Sequence, residues 1–142
     1  MNVIATVPAT RGQHAFLDIH VDGKPLAQHF TGRRGAHPSD VSPLGWSSAS
    51  AATRAEIVAQ LLGERRSELE SGRVPVLVCE NCGDVGCGAI VVRILRDAGH
   101  IMWTDWFYET GYMPGRPLEW QTQPGDFVFD LRSYEAAIRL GL

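Results

Sequence analysis

The sequence has little of what most function classes require. Of its 142 residues only three are cysteine, too few for a disulfide-stapled mini-protein and an odd number that cannot all pair within one chain. Lysine occurs once, at Lys24, and the other twelve basic residues are arginine. Sixteen acidic residues against thirteen basic give a net charge of −3, so the positive footprint of a phosphate-driven nucleic-acid binder is missing. The longest apolar runs, such as Ala89–Val92, fall far short of the roughly 20 residues that span a bilayer. Met1–Pro8 carries no basic run before an apolar core and no small-residue cleavage site, which argues against a signal-peptide reading and makes a cytosolic protein the expectation. Neither a glycine-rich phosphate loop nor a Gly-x-Ser-x-Gly elbow occurs, which disfavours a doubly wound nucleotide-binding fold and a serine nucleophile. There is no internal repeat.

What is present is globular: 44% hydrophobic and 20% charged residues. Residues 1–71 hold seven basic and seven acidic side chains, whereas residues 72–142 hold six and nine, so the excess acid lies in the second half. Residues 15–22 alternate strictly, with Leu17, Ile19 and Val21 on one face and Asp18, His20 and Asp22 on the other. Asp22–Pro25 reads as a turn and Leu26–Phe30 as a short return strand. Residues 31–50, rich in glycine and small polar residues, read as a surface loop with Pro43–Trp46 as a local anchor. Thr53 and Glu56 have capping-box spacing before an apolar helical stripe of Ile57, Val58, Leu61 and Leu62, with Gly63 as the stop.

The second half reads as a meander of Val74–Cys79, Ala89–Leu95 and Ile101–Tyr108, with Asp97–His100 turning between the last two. Residues 109–125 lack periodicity and read as an irregular connection. A short strand over Asp126–Phe129 follows, then a helix capped by Asp130 with Leu131, Tyr134 and Ile138 on one face. The expectation is a single α+β domain over residues 1–142, a mostly antiparallel sheet with two helices packed on one side.

Cys79-Glu80-Asn81-Cys82-Gly83 is the strongest local signal, and Cys87 follows between Gly86 and Gly88. A Cys-x-x-Cys-Gly turn can bring two sulfurs to one metal, and Cys87 adds a third at the tip of the same hairpin. A structural zinc site needs four ligands, so Zn2+ here requires a fourth from Asp84, Glu80 or a histidine near His37. His100, at the far end of the next strand, lies more than about 20 Å away in that reading. A redox dithiol of Cys79 and Cys82 is the alternative, although such pairs normally open a helix, and this one ends a strand. Reduced, partly buried thiols chosen for size are the third reading.

The run Val76–Ile90, continued by Val92-Arg93 and Trp103-Thr104-Asp105-Trp106, resembles a family of small, functionally uncharacterised bacterial proteins, found mainly in actinobacteria, with a CxxCGDxGCGA hairpin. The likeness extends loosely to Pro43–Trp46 and Phe127–Asp130. It implies a shared architecture and no reaction, because the family carries no established activity.

Asp18, His20 and Asp22 have donor chemistry for a divalent metal or acid–base work, but a polar outer face is what any half-buried strand shows. Trp103, Trp106, Tyr108, Tyr112 and Trp120 are interleaved with Asp105 and Glu109. Under plain alternation Trp103, Asp105 and Phe107 share one face of a strand, and Trp106 and Tyr108 the other. One face is then core, and the other is a candidate aromatic surface rimmed with acid, suited to a basic protein partner and unsuited to nucleic acid or membrane. The functional expectation is a small cytosolic, non-catalytic binding protein of the immunity or regulatory-adaptor kind, whose cysteine hairpin is structural and able to take zinc. A thiol oxidoreductase working through Cys79 and Cys82 is the alternative.

Overall fold

The alternation at Leu17, Ile19 and Val21 becomes a strand, β2 (His14–Val21), in the computed structural model, which describes residues 1–31, 40–80, 87–110 and 115–142. It pairs antiparallel along its length with β1 (Ile4–Arg11) and, past the Asp22–Gly23 turn, with the two-residue β3 (Lys24–Pro25). The sequence reading missed β1, whose apolar pattern is weak and whose middle holds Pro8. A proline is tolerated there because β1 lies at the edge of its sheet. The expected return strand over Leu26–Phe30 does not form. Leu26–His29 winds into a 3-10 turn directly after Pro25, and Leu26 becomes fully buried.

The meander follows the predicted order: β4 (Val74–Val78), β5 (Ala89–Arg96) and β6 (His100–Glu109) pair successively antiparallel. Asp97 Oδ1 closes the last turn by accepting from the backbone N–H groups of Gly99 (2.8 Å) and His100 (2.7 Å). The free edge of β6 carries two short strands at different heights, β7 (Arg116–Pro117) and β8 (Phe127–Asp130). The 109–125 stretch is therefore less irregular than its sequence suggests, and Leu118 beside β7 is buried.

Two helices complete an α+β fold. The first, α1 (Ala51–Leu61), is capped by Ser50, whose Oγ accepts from Thr53 N–H at 3.1 Å. The Thr53–Glu56 capping box is not used: Ala51 and Ala52, strong helix formers, carry the helix back to Ser50. The second, α2 (Leu131–Arg139), is capped by Asp130 as expected. Val58, Leu61 and Leu62 from α1 and Tyr134 and Ile138 from α2 enter one core with Ile19, Val21, Val76 and Trp103.

The 40–50 segment is not a surface loop. Val41 and Val78 exchange backbone hydrogen bonds (2.9 and 2.8 Å), Leu44 C=O accepts from Leu17 N–H, and Ser47 N–H donates to Ala15 C=O, both at 2.9 Å. This strap links β2 to β4, and on the other side Asn2 N–H donates to Val128 C=O at 2.7 Å, joining the start of β1 to β8. The two sheets are stitched into one circuit of backbone hydrogen bonds. Phe16 and Trp46 are buried under the strap in a second cluster with Val78, Ala89 and Val91, so the outer face of β2 is partly covered.

Candidate functional site

The aromatic stretch of β6 breaks the period-2 rule at one point. Val91 pairs with Phe107 but Arg93 pairs with Thr104, so one extra residue is inserted into β6 opposite Val92. Asp105 occupies the bulge with φ 65°, a left-handed conformation that aspartate tolerates better than most residues. The insertion reverses the phase of everything after it. Trp103 (0% exposed) and Trp106 (1%) therefore both face the core, their ring centroids 6.0 Å apart. Trp106 Nε1 donates to Gly125 C=O at 2.7 Å, so neither its ring nor its N–H faces outward.

The expected acidic rim is also turned inward. Glu109 is only 6% exposed and accepts from Ser71 Oγ at 3.0 Å and Arg73 Nη1 at 3.4 Å. The Arg73 guanidinium lies 3.4 Å from the centroid of the Phe107 ring and donates through Nη2 to Asp105 at 2.8 Å. Arg93 Nε also reaches Asp105, at 3.4 Å. These carboxylates hold the chain's own arginines, and Trp103, Trp106 and Glu109 are unavailable to a partner. Of the residues expected to form that surface, Asp105 and Trp120 are exposed, Tyr108 is partly covered, and Tyr112 lies outside the described residues.

At the cysteine hairpin, Cys79, directly after β4, is a half-buried free thiol, and Cys87 is disulfide-bonded, its partner outside the described residues, as are Cys82, Asp84 and His37. Zinc would need the three sulfurs as thiolates, so the donor set of Cys79, Cys82 and Cys87 exists only after that bond is reduced. Among the described residues no cluster of three or more histidine, cysteine or acidic side chains is placed to hold a metal ion. Gly88, φ +99°, packs so closely on Tyr108 that a Cβ there would lie 1.9 Å from its Oη, and that hydroxyl donates to Cys87 C=O at 3.2 Å. Tyr108 therefore anchors the returning arm of the hairpin to β6.

The Asp18, His20 and Asp22 trio does not converge. His20 Nε2 lies 3.2 Å from Asp18 Oδ2, whereas Asp22 sits in the turn and accepts from Val3 N–H and Asn2 Nδ2, both at 2.8 Å. Those two hydrogen bonds, the backbone one foremost, hold the Asp22 carboxyl below its ordinary range.

A cavity of about 400 Å³ between α1 and β4 was not singled out by the sequence. Ile57, Val74, Pro75 and Val78 give it an apolar wall, with Pro43 of the strap beside them. Glu56, Gln60 and Glu68 supply its polar groups. Gln60 is 5% exposed, and its Nε2 donates to Glu56 Oε1 at 3.2 Å, which fixes the amide so that Oε1 is the end left to accept. Arg65 binds the other oxygen of Glu56, and among the described residues Glu68 has no hydrogen bond or ion pair. Glu56 and Gln60 are one helical turn apart on α1, which places both on the cavity side; that i, i+4 polar pair is the only sequence signal for the site.

No helix is long and apolar enough to cross a membrane among the described residues. No protein-family model, curated protein or solved structure matches the chain.

Proposed function

We propose that the chain is a small, non-catalytic binding protein of the immunity or adaptor kind, acting in the cytosol on a basic protein partner, with the α1–β4 cavity as its recognition site. The supporting observation is that cavity: an apolar wall closed at one side by acceptors, with Glu68 carrying no cation among the described residues. Its lining contains no cysteine or histidine, and its one hydroxyl, that of Thr53, accepts from Ser50 Oγ at 3.0 Å. The aromatic stretch of β6 is assigned to the core and takes no part in this reading.

The test is site-specific photo-crosslinking in the source organism, with a photoreactive residue at Ala52 on the rim and a control at Ala136 on α2. A single stoichiometric adduct with a protein of net positive charge, formed from Ala52 and not from Ala136, supports the proposal. Equal adducts from both positions, or none from Ala52, overturn it.

A second reading has its own observation. The hairpin holds a free thiol, Cys79, and a disulfide-bonded Cys87 only eight residues apart. A thiol oxidoreductase working through Cys79 and Cys82 would use such a pair. In a reducing cytosol the bond opens, and the same three thiolates form the donor set for Zn2+. Turnover in a dithiol-reductase assay, abolished in Cys79→Ser, supports the enzyme; turnover unchanged by that substitution removes it.

A further inference from the structure

We draw no further inference here: the strongest candidate, the exposed apolar row of Val3, Ala5 and Val7 on the outer face of the first sheet, is an unpartnered surface, and nothing in the structure shows what covers it.

Discussion

Trp103 Nε1 donates to Tyr134 Oη at 3.0 Å, and the same hydroxyl donates to Leu61 C=O, so one buried oxygen ties β6 to both helices. Tyr134 is fully buried, and burial pushes its phenol far above the ordinary range against the opposing Trp103 hydrogen bond, so it stays neutral. Tyr134→Phe keeps the ring but leaves an indole N–H and a carbonyl without partners. The expected loss is about 2 kcal/mol of unfolding free energy, read by urea denaturation. A loss within error of zero would show that the hydroxyl does not join the three elements.

The bulge at Asp105 makes a second prediction. Its φ of 65° suits asparagine and penalises a β-branched residue. Asp105→Asn and Asp105→Val both remove the charge facing Arg73 and Arg93, so the difference between them isolates the backbone contribution. Asp105→Val should be the less stable by about 1–2 kcal/mol. Equal denaturation midpoints would argue against a left-handed residue there.

Gly88 and Tyr108 should behave as a coupled pair. A Cβ at Gly88 meets the Tyr108 ring at 2.3 Å as well as its hydroxyl, so removing the hydroxyl alone gives no relief. Gly88→Ala should destabilise strongly in the natural chain and by about 1 kcal/mol less in a Tyr108→Ala background. A double-mutant cycle with no coupling energy would place the two residues apart.

The cysteine hairpin predicts thiol stoichiometry. Without reductant, a denatured sample should titrate one thiol per chain, that of Cys79, and three after reduction. Zinc uptake, measured by elemental analysis, should then appear only in the reduced protein and disappear in Cys87→Ser. Three thiols before reduction would show that no disulfide is present.

Acid stability follows from three carboxylates. The Asp130 carboxyl is lowered by hydrogen bonds from the Ser133 backbone and hydroxyl, Asp97 by the N–H groups of Gly99 and His100, and Asp22 by Val3 and Asn2. A carboxyl lowered in the folded state leaves the unfolded chain binding more protons in acid. Its contribution is therefore present above about pH 4 and lost as pH falls through the folded values. Urea midpoints should fall steadily below about pH 4, and Asp130→Asn should flatten that slope. An unchanged slope would remove the cap from the acid response.

How much was legible in the sequence depended on how local the controlling interaction was. The meander, the Asp130 cap, the Gly63 stop and the buried Pro43–Trp46 anchor could all be read from neighbouring residues. Period-2 and period-3.6 burial and single-residue caps act within a few positions of the chain. β1 was missed because its partner β2, more than its own sequence, makes it a strand. The burial of Val41 was missed because Val78, remote in the chain, supplies its hydrogen bonds.

The sequence by itself determined an α+β pattern, a clustered set of three cysteines and a second half richer in acid. Only the tertiary structure decided what those features face. One inserted residue at Asp105 turned Trp106 into the core, because side-chain direction in a strand reverses with every residue. Arg73, far from β6 in sequence, then drew Asp105 and Glu109 into internal pairs. Beyond the Glu56 and Gln60 pair on α1, the cavity could not be read from the chain, since its walls come from α1, β4 and the strap, which meet only when the two sheets close around one core.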